Sequence, residues 1–502
     1  MNEKTKFALG IVAAALPLGA LADGLLRAAP WDLNFAVWMA VFVAALALLA
    51  RWRPAALAGS GRWFFLPLLV FSAAFAWRDS PALKMLNLLG LLVTLSLVVL
   101  RAQGGRLREA GLAEYALGSV IAALNAALGM LPVLSSDLEW KEIFSDGWSK
   151  RSVAIGRGLL LAVPLLLLFG GLFVAADAVF EGIVREALHL NFPEIISHFF
   201  FAAFCAWAVA GFLRGTLLGK EREFALARRF EFPALGMIEM AIVLGSLDAL
   251  FLGFVVVQLR YFFGGAELVQ MTTGLTYAEY ARRGFFELVA VAALVLPLLL
   301  AMHWLLKKDD SAGERIFRGL AAAQIAMLFV IMASALERMR LYQSEYGLTE
   351  ECLYPTAFMA WLAVVFVWFV VTVLRGRRKH FAFGALVAGY LLIGALQLLN
   401  PDALIARANI ARALAGKSFD ARYAGHLSAD AAPVLAKSLP ALGPGVVSPS
   451  DRCALAARII KRWSPAEGVG WRRWSLGRAR AIEAVRENAA ALTVLACSEN
   501  KE

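Results

Sequence analysis

Twelve long apolar blocks, separated by short charged connectors, dominate this sequence. A helix rises 1.5 Å per residue, so roughly 20 apolar residues are needed to cross a hydrocarbon core about 30 Å thick. Most of the blocks meet or approach that length, and a soluble protein exposing them would aggregate. The chain is therefore predicted to be an all-α, polytopic transmembrane helix bundle. The blocks cover residues 7–26, 33–50, 64–77, 83–100, 110–134, 158–180, 199–218, 234–259, 284–304, 316–336, 355–374 and 381–399.

Basic residues concentrate in alternate connectors, which orients the bundle because Lys and Arg accumulate in cytoplasmic loops. The connectors rich in basic residues include 101–108, 141–157, 214–229, 307–318 and 375–379. Placing them inside predicts a cytoplasmic amino terminus and an extracytoplasmic carboxyl terminus. The net charge of +11 is mostly explained by this asymmetry, so no nucleic-acid partner is predicted.

The block at 110–134 conflicts with a simple alternation of loops. It lies between two basic connectors, and its 25 residues are too few to cross the membrane twice. It also contains Gly118, Gly129 and Pro132, which interrupt helices. We interpret it as a re-entrant or interfacial segment, which leaves about eleven crossings. Alternatively, the short block 64–77 is the segment that does not cross the membrane. The predicted number of crossings lies between ten and twelve.

Residues 400–502 differ from residues 1–399, which form the predicted bundle. Their apolar density is lower, and Pro and Gly cluster at 440–449. Several shorter stretches keep a helical period, so a small soluble helical domain outside the cytoplasm is predicted. In that compartment Cys453 and Cys497 are able to pair.

Tryptophan and arginine alternate in this carboxyl-terminal region. Packing of the region on the bilayer surface and recognition of anionic headgroups or an envelope glycan are alternative interpretations. The residues concerned are Arg462, Trp463, Trp471, Arg472, Arg473 and Trp474.

Signatures of soluble enzymes are missing from the sequence: there is no HExxH, no GxSxG and no GxGxxG. No cofactor and no metal site are predicted, and the sequence favours a non-enzymatic role.

Asp248 lies near the middle of the block at 234–259. An acid at such a depth costs about 2.5–3.5 kcal/mol on insertion scales. We predict that Asp248 lies between helices and is paired or protonated. Two roles of Asp248 remain as alternatives: a structural hydrogen bond between helices, and a relay for protons or cations.

Charged and aromatic residues also collect at the outer helix ends and in two outer loops. We predict that Glu287 and Glu337 approach basic residues of other helices and form the floor of an outward-facing cleft. The alternative is that each side chain simply reaches headgroups or water. With Asp248, the predicted polar cluster comprises Arg260, Glu279, Tyr280, Arg282, Glu287, Glu337, Arg338 and Arg340.

Seven stretches carry a resemblance to a known family. They are LDALF (247–251), QLRYF (258–262), GLTYAEYARRGFFEL (274–288), RMRLY (338–342), YGLT (346–349), NPD (400–402) and LSADAAP (427–433). Together they resemble a bacterial family of multi-pass inner-membrane proteins known only as a domain of unknown function. The resemblance implies the architecture and no particular reaction.

Three functional classes follow from these features. The first is a non-catalytic sensory, regulatory or binding component of the envelope, working at its outer face on the bilayer with an envelope lipid, glycan or membrane-protein partner. The second is a proton- or cation-coupled secondary transporter, favoured by the acid inside a span. The third is a membrane enzyme acting on lipid-linked glycans, disfavoured by the short first outer loop at 27–32.

Overall fold

The computed structural model is an all-helical bundle. It describes residues 1–27, 30–53, 59–105, 108, 110–143, 158, 162, 165–166, 168–182, 192–219, 236–273, 284–306, 311–464 and 470–496. The main helices are α1 (Glu3–Leu26), α2 (Leu33–Trp52), α3 (Phe65–Trp77), α4 (Pro81–Ala102), α5 (Leu112–Leu128), α6 (Phe192–Leu217), α7 (Met237–Thr273), α8 (Phe285–Leu305), α9 (Ser311–Tyr346), α10 (Glu350–Thr372), α11 (Phe381–Leu399), α12 (Pro401–Leu414), α13 (Ala432–Ser438), α14 (Pro449–Trp463), α15 (Leu476–Glu487) and α16 (Ala489–Leu495). Short helical turns lie at Gly59–Phe64, Met130–Pro132, Val133–Asp137, Trp140–Ile143, Arg378–His380, Ala421–Ala424, Ala429–Ala431, Leu439–Ala441 and Trp471–Arg473.

Nine helices of the described part of the chain are long and apolar enough to cross a membrane, or up to ten if a bent pair counts as one span. A further apolar helix, Gly61–Trp77, is shorter. This confirms the predicted polytopic bundle. The full count of eleven crossings stays a prediction, because the block at 158–180 lies partly outside the described residues.

The two ends of the bundle are identified by contacts between α1 and α6, which pack antiparallel. One end contains the connector between α1 and α2, in which Asp32 lies, and is named the Asp32 end. There, Arg27 Nη2 donates to Ser197 Oγ at 2.6 Å. At the other, named the Lys4 end, Asp137 pairs with Lys4 Nζ at 2.7 Å and with Arg214 Nε at 2.6 Å. These contacts fix the direction of the first half of the chain.

The carboxyl-terminal helices α12–α16 sit on the Asp32 end. Their apolar residues, including Ile405 and Leu435, share one core with Leu83, Leu353 and Leu396 of the bundle. Helix α1 therefore begins at the end of the bundle opposite to the carboxyl-terminal helices. The division into a membrane bundle, residues 1–399, and a separate soluble domain, residues 400–502, stays a prediction, because the two parts are packed against each other.

The segment predicted to be re-entrant is α5 with the short helices after it, and it bends by 50° within the pair Leu112–Leu128 and Met130–Asp137. Gly118 lies against Leu100, near the end of α4. At the segment's other end, Asp137 is held by Lys4 and Arg214. Both ends are therefore at the Lys4 end of the bundle, which favours a re-entrant segment over a bent span.

Glycines allow α5 to approach α6 closely. A Cβ added at Gly211 would overlap the backbone carbonyl of Asn125 and lie 3.0 Å from that of Ala126. We expect Gly211→Ala to lower the free energy of unfolding by about 1–3 kcal/mol, as overpacking does. Thermal unfolding of the purified protein in detergent measures this. Gly245→Ala is the control, because nothing lies within 4 Å of a Cβ there. Equal melting temperatures for the two variants would contradict the close contact.

Candidate functional site

The residues predicted to form the outer polar cluster are only partly described. Glu279, Tyr280 and Arg282 lie outside the described residues, and Arg260 lies on α7. Glu287 is exposed in the first turn of α8. The described residues therefore do not test whether these side chains line the predicted cleft.

The remaining members of the predicted cluster lie near the end of α9. Arg338 Nη2 donates to Gln258 Oε1 at 2.8 Å, which links α9 to α7. Glu337, in contrast, pairs with Arg340 of its own helix at 3.6 Å. The interhelical partner predicted for Glu337 is thus not seen among the described residues. The link that does join two helices is between Gln258 and Arg338.

Asp248 lies on α7, and both of its carboxylate oxygens are buried. Within the described part of the chain neither oxygen has a hydrogen-bond partner. That Asp248 lies between helices and is paired or protonated stays a prediction.

A different set of charged side chains is buried together at the Asp32 end. Three groups come from connectors at this end: Asp32 precedes α2, and Arg78 and Asp79 lie between α3 and α4. The sequence places Lys84 in the first turn of α4. We name as the charge network Asp32, Arg78, Asp79, Lys84, Asp430 and Arg478.

Two cations and two carboxylates make up one half of the charge network. Lys84 Nζ contacts Asp32 Oδ1 at 2.5 Å and Asp79 Oδ1 at 3.3 Å. The guanidinium of Arg478 reaches the same two acids, with Nη1 at 2.8 Å from Asp32 and Nη2 at 2.7 Å from Asp79. Asp32 is 0% exposed and Asp79 is 6% exposed. Arg478 of α15 therefore binds two bundle carboxylates at once, as the planar guanidinium fork permits.

Asp430 forms the other half of the charge network and caps a bundle helix. Its Oδ2 accepts from the backbone N–H groups of Asp79 at 2.7 Å and Ser80 at 3.2 Å. These groups precede α4, where the helix dipole favours a negative charge. Arg78 Nη1 lies 3.6 Å from Asp430 Oδ1. Gly477 makes this approach feasible, because a Cβ there would lie 2.7 Å from Asp430 Oδ1.

A pair of acids, Glu350 and Asp402, lies close to the charge network. Each of the two carboxyl groups influences the titration of the other. Asp402 Oδ2 also accepts from Ser428 N at 3.2 Å, and the backbone N–H of Glu350 donates to the Tyr423 hydroxyl at 2.8 Å. The pair joins the start of α10 to the carboxyl-terminal region.

Burial shifts the titration of the acids at this end. It raises the pKa of Asp402, and the N–H and hydroxyl groups of Ser428 only partly oppose that shift. Burial also raises the pKa of Asp430 against the opposing backbone N–H of Asp79 and the charge of Arg78. For Asp32, burial raises the pKa while Lys84 and Arg478 oppose the shift.

The raised pKa of Asp402 predicts a pH dependence of stability. The unfolded chain loses this proton near the ordinary Asp value of about 3.9, whereas the folded protein keeps it to higher pH. The contribution is therefore complete below about pH 4 and is lost as the pH rises through the folded pKa, by about 1.4 kcal/mol per pH unit. Asp402→Asn should make the decline of stability with pH less steep in denaturant titrations from pH 4 upward, while Asp32 and Asp430, whose pKa values are also raised, keep part of it. The exposed Glu483→Gln should leave it unchanged, and an unaltered slope in Asp402→Asn would contradict the assignment.

Sequence reasoning did not predict the charge network. The sequence patterns do not single out Asp32, Arg78, Lys84 or Arg478. A signal was present in the motifs NPD and LSADAAP, which contain Asp402 and Asp430. A further signal was the polar triplet Arg78-Asp79-Ser80 between two apolar blocks, because polar residues packed beside a span need partners.

Comparison with known proteins gives one match. The model of the family described as domain of unknown function DUF4153 matches residues 65–438. This range includes Asp79, Lys84, Asp402 and Asp430, whereas Asp32 and Arg478 lie outside it. No curated protein and no solved structure matches the chain significantly. Since the match covers most of its length, the chain belongs to the DUF4153 family, and it is an integral membrane protein.

Proposed function

We propose that this protein is a non-catalytic binding or regulatory component of a bacterial cell envelope and that it works at its Asp32 end. The observation that carries this proposal is the charge network. Asp430 and Arg478 come from the carboxyl-terminal region, whereas Asp32, Arg78, Asp79 and Lys84 belong to the bundle.

The charge network ties the carboxyl-terminal helices to the spans. Removing one partner from a buried ion pair costs about 3–5 kcal/mol, because the other charge stays buried and uncompensated. A ligand or partner that displaces the carboxyl-terminal helices must therefore disturb the start of α2 and of α4. Such a link suits a component that binds outside the membrane and responds within it.

Two features support an extracytoplasmic Asp32 end in an inner membrane. The connectors rich in basic residues alternate with poorer ones, and one further span, α11, separates the last rich connector, 375–379, from the carboxyl-terminal region. In addition, Cys453 takes part in a disulfide, which is typical of an oxidising compartment. The bilayer and an envelope lipid, glycan or membrane protein are the proposed partners.

Topology is tested with fusions to alkaline phosphatase and to a fluorescent protein. A fusion after Glu502 should be phosphatase-positive and non-fluorescent. A fusion after Lys379, between α10 and α11, should give the opposite result and serves as the control. Fluorescence after Glu502 would overturn the proposed working face.

Binding is tested by photo-crosslinking in native membranes. A photoreactive amino acid replaces Arg422 or Glu483, which are exposed on the carboxyl-terminal helices, or Arg375, which is exposed after α10. We expect discrete crosslinked species at the first two positions, identified by mass spectrometry as one protein, lipid or glycan. Identical crosslinked products at all three positions would contradict a specific binding face on the carboxyl-terminal helices.

A proton- or cation-coupled transporter is the second candidate, and Asp248 favours it. Its buried carboxylate oxygens without described partners are what an ion site inside a bundle provides. Solute uptake by reconstituted vesicles under an imposed proton gradient distinguishes the candidates, since a binding component would give none.

A further inference from the structure

Two hydrogen bonds to Gln258 indicate the register between α7 and α9. Gln258 Oε1 accepts from Ser334 Oγ at 2.9 Å and from Arg338 Nη2 at 2.8 Å. Gln258 closes the membrane-spanning part of α7, Met237–Gln258, and it meets the part of α9 nearest the Asp32 end. The two helices therefore run in the same direction.

This register brings two polar residues to the same depth. Asp248 precedes Gln258 by ten residues, and Gln324 precedes Ser334 by ten residues, so each lies about 15 Å further from the Asp32 end. Asp248 follows the buried Leu244 by four residues and thus belongs to the same helix face. Gln324 precedes Arg338 by two heptads and shares its face. Both residues therefore belong to the stripes through which α7 and α9 pack.

Neither residue has its polar atoms satisfied within the described part of the chain. Gln324 is 0% exposed, and both its amide oxygen and its amide nitrogen lack a hydrogen-bond partner. The same holds for the two buried carboxylate oxygens of Asp248. Buried polar groups are expensive unless they are hydrogen-bonded, and each exception in a native protein requires an explanation. Two such groups at one depth in one interface indicate a site.

We propose that Asp248 and Gln324 form an intramembrane proton-binding site, in which bound water joins the carboxyl group to the amide. A proton on Asp248 removes the charge that hydrocarbon disfavours and supplies a donor. The amide of Gln324 has both donors and an acceptor, so it can hydrogen-bond either state. This proposal goes beyond the binding role proposed above and does not depend on it.

No other charged residue lies at this depth on the described elements packed around the site. On α9 the charges are confined to Glu314–Arg318 at one end and to residue 337 onward at the other. On α8 they are Glu287 and His303, near its two ends, and α7 carries Glu239 and Arg260 on either side. Asp248 is therefore the carboxyl group at this depth, among the described elements, that can take up a proton.

The test is labelling of the full-length protein in lipid vesicles with dicyclohexylcarbodiimide, a lipid-soluble reagent for protonated carboxyl groups. Mass spectrometry should find Asp248 labelled at acidic pH, and the labelling should decline as the pH is raised. The half-buried Glu337, which lies near the Asp32 end, should react instead with a water-soluble carbodiimide. Gln324→Met removes a partner of the carboxylate and should move the midpoint of the profile upward by about one pH unit. Gln343→Met, outside the span on the same helix, should not move it.

Several results would overturn the proposal. Equal labelling of Asp248 by the water-soluble reagent would place it in open water. Protection by Na⁺ at constant pH, compared with choline, would make the site a cation site. An unchanged midpoint in Gln324→Met, in a variant that elutes and melts as the wild type does, would remove Gln324 from the site.

Discussion

Replacing Arg478 with alanine is expected to weaken the attachment of the carboxyl-terminal helices by about 3–5 kcal/mol. The guanidinium binds Asp32 and Asp79 together, and without it Lys84 is the cation that the two buried carboxylates share among the described residues. Thermal unfolding in detergent and the rate of protease cleavage after residue 400 both report this loss.

The control for Arg478→Ala lies on the same helix. Arg486 is exposed on α15, so Arg486→Ala removes the same charge and side chain without opening the charge network. It should change stability by less than about 0.5 kcal/mol. Adding Asp32→Asn to Arg478→Ala should restore part of the loss, because it removes one uncompensated charge. Equal losses in Arg478→Ala and Arg486→Ala would contradict a structural role for the charge network.

The second large effect is expected at Asp430. Asp430→Ala leaves the N–H groups of Asp79 and Ser80 without an acceptor and Arg78 without its carboxylate. A loss of about 3–5 kcal/mol is expected. Asp430→Asn keeps an oxygen acceptor for the two N–H groups and should cost only about 1.5 kcal/mol.

Comparing Asp430→Asn with Asp430→Ala separates the contribution of the helix cap from that of side-chain packing. Circular dichroism and the melting temperature in detergent measure both variants, and the exposed Glu487→Ala on α15 serves as the control. If asparagine and alanine were equally damaging, the charge pair with Arg78 would outweigh the cap. If neither differed from Glu487→Ala, Asp430 would have no structural role.

The apolar blocks predicted the spans because hydrocarbon thickness dictates the length of each helix. The helix ends were less predictable where a helix continues beyond the hydrocarbon. α9 extends to Tyr346, whereas its block ends at 336, and α7 extends to Thr273, whereas its block ends at 259. Apolarity marks the membrane boundary, and polar helical turns past it carry no such signal.

The charge network could not be predicted because its members are distant in the sequence. Asp79 and Asp430 are separated by 351 residues along the chain. A single sequence shows which polar residues stand beside spans, but it does not show which of them meet. Asp248 was selected because its position within one block is itself unusual, and that signal needs no partner.

The cap on α4 has a consequence for biogenesis. Ribosomes deliver α4 to the membrane long before residue 430 is synthesised, so the start of α4 lacks its acceptor and Asp79 lacks Arg478 during that interval. A chain released early would keep Asp32, Asp79 and Lys84 exposed to water in a form that a membrane protease can recognise. Completion of the last hundred residues thus acts as a checkpoint on assembly of the first hundred, and truncated products should be short-lived in the cell.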